Sequence, residues 1–151
     1  MKISDENKTL ALLDEIAAIN KKSFSGIELP SEKDFAFQVH RNDVFVRRFD
    51  IMQGIGFGPI VTYAIVEERL GCPFIWQIAT DPQWRGHGYA ADALGEIALY
   101  YDGRYPCIEL AVHVDNFKAQ VLYLKNGYRV AKFMRDYYRP EGDGLLFRRI
   151  L

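Results

Sequence analysis

The chain has 151 residues, 49% hydrophobic and 26% charged, the composition of one globular domain around one core. Its net charge of −1 removes the electrostatic case for a nucleic-acid partner, and no apolar run approaches the roughly 18 residues of a membrane-spanning helix. Two cysteines, Cys72 and Cys107, are too few for a disulfide scaffold and read as reduced thiols; with no secretory segment at the N-terminus, a cytoplasmic protein is expected.

Lys2-Ile3 reads as a short first strand. Ser4 and Asp5 can cap a helix over roughly 5–22, with Leu10, Leu13, Ile16 and Ala17 on one face and Lys21-Lys22 near its end complementing the dipole. After a loop from Gly26 to Pro30, Ser31-Glu32-Lys33-Asp34 is a capping box for a short helix to about His40, which Asn42-Asp43 break. Val44 to Phe49 is strand-like. Gly54-Ile55-Gly56-Phe57-Gly58 has the look of a phosphate loop, but the β-branched run Ile60 to Val66 that follows makes a hairpin turn the better reading.

Phe74-Ile75-Trp76-Gln77-Ile78-Ala79 reads as a buried strand, stopped by Asp81-Pro82 because proline has no amide for the ladder. A short basic loop with Gly86 and Gly88 comes next. Tyr89, Ala90, Ala93, Leu94, Ile97, Ala98 and Tyr101 then recur at helical spacing. Ile108 to Val114 alternates strictly, with Ile108, Leu110, Val112 and Val114 on one face and Glu109, Ala111 and His113 on the other. Asp115-Asn116 cap a helix from Phe117 to about Asn126, and Gly127 ends it. Two last strands, Tyr128 to Tyr138 and Leu145 to Ile150, are joined by Arg139 to Gly144. The order β-α-α-β-β-β-α-β-α-β-β implies an α+β fold on a mixed sheet, antiparallel hairpins plus one parallel pair joined by the long helix. No repeat, low-complexity tract or linker divides it, so residues 1–151 read as a single domain.

Strand, glycine loop and helix start together point several free backbone N–H groups and the positive end of a helix dipole at one spot, a site suited to phosphate. Three readings stand for this stretch. One is a plain glycine turn. The second is a dinucleotide site, since Gly86-His87-Gly88-Tyr89-Ala90-Ala91 fits G-x-G-x-x-A and Glu109 lies roughly 20 residues on. Against it, Asp81 to Arg85 separate the first glycine from its strand, and the elements lack doubly wound alternation. The third is the pyrophosphate loop of an acetyl-CoA enzyme.

Three separated pieces favour the third. Arg85-Gly86-His87-Gly88-Tyr89-Ala90 resembles the R/Q-x-x-G-x-G/A signature of the GCN5-related N-acetyltransferases (GNAT). Asn116-Phe117-Lys118-Ala119-Gln120-Val121-Leu122-Tyr123 resembles that family's N-x-x-A-x-x-L-Y, and Lys125-Asn126-Gly127-Tyr128 its x-x-G-F/Y. The resemblance spans about residues 58–150. Arg135-Asp136-Tyr137-Tyr138 and Gly142 to Phe147 are similar to the tail of the enzymes that acetylate ribosomal-protein alanine and other protein N-termini.

The resemblance implies a GNAT-like acyl-CoA N-acyltransferase fold, a central mixed sheet of about seven strands flanked by about four helices. It implies acetyl-CoA as cosubstrate and no metal. Backbone groups of Ile78, Ala79 and Thr80 are expected to pair with the pantetheine arm. Arg85 opens the loop, and the amides of Gly86, His87, Gly88, Tyr89, Ala90 and Ala91 are expected to hold the pyrophosphate. Asn116 is expected on the pantetheine and Lys125 at the 3′-phosphate, each with a plainer reading as helix cap or surface lysine. Tyr123 is the expected general acid toward the leaving thiolate; it lies two helical turns after Asn116 on one face. The family's glutamate base falls five residues before the asparagine, where this chain has Ala111. His113 and Glu109 flank it at about 7 Å each by strand rise and are the candidate bases, His113 preferred.

The expected activity is acetyl transfer to a primary amine, with a peptide or protein N-terminal α-amine as acceptor. The alternatives are a small-amine or antibiotic-like acceptor and a non-catalytic acyl-CoA-binding domain. No nucleic-acid or membrane partner is expected, and monomer or homodimer is left open.

Overall fold

The computed structural model describes residues 1–24, 31–50, 57–140 and 142–151. The expected Gly26–Pro30 loop and the expected turn from Gly54 lie outside the described residues, apart from Phe57 and Gly58, which open a strand. Seven strands form one mixed sheet: β1 Lys2–Ile3, β2 Asp43–Asp50, β3 Phe57–Glu67, β4 Phe74–Thr80, β5 Cys107–His113, β6 Arg129–Tyr138 and β7 Gly142–Ile150, in the order β1-β2-β3-β4-β5-β7-β6. β4 and β5 pair parallel and the other neighbours antiparallel. The helices are α1 Leu10–Ser23, α2 Glu32–Arg41, α3 Tyr89–Tyr101 and α4 Phe117–Lys125.

Alternation along the strands builds a core on each side of the sheet. Val44, Val46, Tyr63 and Ile65 meet Leu12, Ile16 and Ile19 of α1 and Phe35 and Val39 of α2. Phe45, Ala64, Val66, Ile108, Leu110, Val112 and Phe147 meet Leu94, Ile97, Ala98 and Tyr101 of α3 and Tyr123 of α4. Burial at that density makes α3 a rigid support for the loop at its N-terminus.

Three expectations are corrected. The first helix starts at Leu10, capped by the Thr9 side chain, which accepts from the Leu12 amide at 3.3 Å; Ser4 makes no such bond. Residues Asp5–Asn7 form a separate 3-10 turn, and the buried Lys8 ammonium donates to the carbonyls of His40 and Asn42 at 3.3 and 2.7 Å. Tying Lys8 to the end of α2 stops helix growth before Thr9 and turns Leu10 outward, 78% exposed. The second correction is at β7, which begins at Gly142 rather than Leu145 because Gly144 and Gly142 pair with His113 and Tyr138. The third is chemical: Cys72 and Cys107, expected as separate thiols, are joined in a disulfide, with Cα atoms 5.1 Å apart. Parallel pairing sets the starts of β4 and β5 at the same end of the sheet, so residues 35 apart in sequence become neighbours.

Candidate active site

β4 and β5 lie side by side only at Phe74–Glu109 and Ile75–Leu110, and then part. The other edge of β4 is irregular at the same level. There Ile65 pairs with Gln77 but Val66 pairs with Ile75, so Trp76 has no direct partner on β3. This bulge resets the alternation: Ile75 joins the α3 core, whereas Trp76 packs toward α1 and Gln77 also reaches α1, donating from Nε2 to Asn20 Oδ1 at 2.9 Å. The buried Tyr63 hydroxyl lies 2.9 Å from Gln77 Oε1 and 3.0 Å from Asn20 Oδ1, which fixes the bulge from below. Beyond it, Ile78, Ala79 and Thr80 face the opened wedge with an edge that β5 does not cover.

At the wide end of the wedge the chain turns through Pro82–Trp84, a 3-10 turn capped by Asp81. Burial alone would raise the Asp81 carboxyl. The Lys22 ammonium at 2.8 Å and the Gln83 amide at 3.2 Å outweigh it and hold the group below its ordinary value. Gly86 and Gly88 then take φ of +82° and +86°, which a side chain would strain, and open space surrounds the position of a Cβ at each. Gly88 caps α3, and the first amide bonded back to it is that of Asp92. The amides of Tyr89, Ala90 and Ala91 therefore have no intrahelical acceptor. Arg85 donates from Nε to the Thr80 carbonyl at 3.2 Å, folding the loop back onto β4.

The opposite wall is α4. Asn116 accepts from the Ala119 amide at 3.2 Å through Oδ1, so it is the helix cap, and its Nδ2 remains for donation. Tyr123 is buried between Tyr128 and Phe147, with ring centroids 6.0 and 5.9 Å away. Burial pushes its phenol up to about 12. Lys125 is exposed at the last turn of α4.

The two base candidates share a strand face but not an environment. Glu109 Oε1 accepts from Arg148 Nε and Nη2 at 2.8 and 2.6 Å. His113, a quarter exposed, receives the Asp115 backbone N–H on Nδ1 at 3.1 Å. A backbone N–H can only donate, so the neutral ring carries its proton on Nε2. Its ring lies 5.6 Å from that of Tyr138, at the end of β6, whose hydroxyl is pushed up by burial and by the neighbouring Tyr137 and Tyr123. The bulge at Trp76 and the Arg148–Glu109 pair had no sequence signal; Tyr138 was legible only through the Tyr137-Tyr138 resemblance. Among the described residues no group of His, Cys, Asp or Glu is placed to hold a metal ion.

Glycine loop, splayed parallel strands and capped α4 make up the candidate site. Residues 13–128 match the model of the acetyltransferase (GNAT) family, and the chain belongs to that family, whose members transfer acetyl from acetyl-CoA to amines. No curated protein matches it at the sequence level. Among solved structures it is similar to the ribosomal-protein-S18-alanine N-acetyltransferase of Escherichia coli: 23% identity, TM-score 0.73, covering 94% of this chain and 89% of that one. It is similar also to NAA60 of Arabidopsis thaliana in complex with a bisubstrate analogue, at 14% identity and TM-score 0.79 over 95% of each chain. A third is a GNAT acetyltransferase of Elizabethkingia anophelis with acetyl-CoA bound, at 14% identity and TM-score 0.68 over 84% of this chain and 94% of that one.

Proposed function

We propose that the chain acetylates the α-amine of a peptide or protein N-terminus, with acetyl-CoA held in the wedge between β4 and β5. The observation that carries the cosubstrate site is the parting of these strands at the end of β4 that leads into a glycine loop and a helix start whose first amides have no intrahelical acceptor. The residues present fit that ligand. The free edge of Ile78, Ala79 and Thr80 takes an extended arm as one more strand. The amides from Gly86 to Ala91 suit a pyrophosphate, Asn116 Nδ2 suits an amide carbonyl of the arm, and Lys125, exposed in the last turn of α4, suits a terminal phosphate.

Acetyl-CoA supplies an acetyl group on a thioester whose leaving group is a thiolate. Tyr123, protonated throughout the physiological range, can give that sulfur a proton. Glu109 is paired with Arg148, which favours its ionised form and makes it the weaker candidate for taking a proton on this reading. With Nδ1 accepting from the Asp115 amide, His113 reads as a hydrogen-bond donor through Nε2, a role that competes with the base role expected from the sequence. On this reading the acceptor arrives neutral or loses its proton to water. That favours an α-amine, with a reference pKa near 8, over a lysine near 10.4. Tyr137 and Tyr138, packed edge to face at 4.9 Å beside the end of β5, form a wall suited to a peptide. The Escherichia coli relative is named for acting on such an amine.

The test is a panel of peptides with free and blocked N-termini, each with and without an internal lysine, read by mass spectrometry. Acetylation only of free N-termini is expected. Acetylation confined to lysine, or to polyamines and aminoglycosides with no peptide modified, overturns the acceptor assignment.

A further inference from the structure

His87 lies inside the glycine loop, at a position whose side chain the loop signature leaves unspecified. Its Nδ1 faces two backbone carbonyls, those of Trp84 at 3.2 Å and Arg85 at 3.1 Å. Carbonyl oxygens can only accept, so Nδ1 carries a proton and shares it between them. The ring is exposed but has two aromatic neighbours: Tyr89, with centroids 6.2 Å apart and a 29° interplanar angle, and Trp84 at 6.3 Å. Trp84 in turn packs on Phe49 of β2 at 4.5 Å.

These contacts act on a short segment with two positive-φ glycines, Gly86 and Gly88, on either side of His87. Such a segment has many backbone conformations open to it. A bifurcated bond to the carbonyls preceding Gly86 fixes the orientation of those two oxygens. Because a peptide unit is planar and trans, fixing the Arg85 carbonyl also fixes the Gly86 N–H on the opposite side of that unit. We propose that the His87 side chain is a positioning residue for the pyrophosphate of acetyl-CoA: it pre-forms the loop whose amides bind that group and does not itself contribute to acetyl transfer. Pre-forming a binding loop raises affinity because less ordering remains to be done on binding. The inference rests on the acetyl-CoA assignment above, and it is confined to the part of the ligand that the loop would touch.

The experiment measures equilibrium binding of two ligands to the full chain. Acetyl-CoA carries the pyrophosphate; S-acetylpantetheine lacks it and is followed by ligand-detected NMR. The proteins are wild type, His87→Ala, His87→Asn and His87→Gln. An asparagine amide nitrogen falls near the Nδ1 position, whereas a glutamine places it nearer Nε2. His87→Ala and His87→Gln should weaken acetyl-CoA by about three- to tenfold, the range of one net hydrogen bond. His87→Asn should recover most of the wild-type affinity, and S-acetylpantetheine should bind all four proteins alike. Equal affinity of all four for acetyl-CoA overturns the inference. So does parallel weakening of both ligands, which marks a general structural role, or an asparagine variant no better than glutamine. A wild-type chain that binds no acetyl-CoA at all overturns the cosubstrate assignment and this inference with it, a result distinct from the others.

Discussion

A phenol enclosed by Tyr128 and Phe147, as in Tyr123, loses its proton only near pH 12 and so remains an acid wherever the protein works. Tyr123→Phe keeps the ring and removes the proton. We expect kcat to fall by about 10²–10⁴ with a smaller change in KM for acetyl-CoA, the pattern of a lost general acid; retention of most of the rate would make Tyr123 a packing residue. If neither His113 nor Glu109 takes the amine proton, the acidic limb of the pH–rate profile persists in His113→Ala and Glu109→Gln. It should then move with the pKa of the acceptor amine when peptides of different first residue are compared. Disappearance of that limb in His113→Ala alone would restore His113 as the base. The sequence could place His113 and Glu109 on one strand face from period-two alternation. It could not show that Arg148 occupies one and the Asp115 amide the other, because both partners depend on contacts made after folding.

At the scale of elements, α3 is what holds the loop in place. Leu94 is fully buried in its core-facing stripe, and Leu94→Ala should destabilise the fold by about 2–5 kcal/mol, read from the denaturation midpoint. A loss below about 1 kcal/mol would mean that α3 is loosely seated and a poor support for the site. The stripe was legible because Tyr89 to Tyr101 repeats apolar residues at three and four. The Ser31 cap of α2 was legible for a local reason too, since its partner Asp34 is three residues away. The start of α1 was not, because Lys8 is held by carbonyls of His40 and Asn42, more than thirty residues distant. The bulge in β4 was equally hidden. Trp76 and Gln77 carry no mark of it, and the Asn20–Tyr63–Gln77 cluster that supports it joins three separate elements. Yet this bulge lies beside the opening of the wedge, so a feature that shapes the candidate site was the least readable part of it.

Taken whole, the molecule buries several tyrosines, some with hydrogen-bonded hydroxyls, as in Tyr63 and Tyr101, and one, Tyr128, without a hydrogen-bond partner among the described residues. Tyr63, Tyr101, Tyr123, Tyr128 and Tyr138 are all pushed above the ordinary value near 10, burial being the largest cause in each. The unfolded chain sheds these protons first as pH rises, so stability is unaffected by them below pH 10 and is lost progressively above it. Each unit of difference is worth about 1.4 kcal/mol, so Tyr123 alone gives up on the order of 2–3 kcal/mol by about pH 12. Urea midpoints at about pH 8 and about pH 11 check this, and an unchanged midpoint would contradict it. The assembled account depends above all on one ligand in one place. Gly88 has a φ of +86° at the cap of α3, in the open space where the pyrophosphate would sit. The measurement is calorimetric titration of acetyl-CoA into the wild-type chain and Gly88→Val, with thermal melts of both. The account predicts low-micromolar binding or tighter to wild type, about −8 kcal/mol, and none detectable to a variant that still folds cooperatively. Undiminished binding to folded Gly88→Val would contradict it.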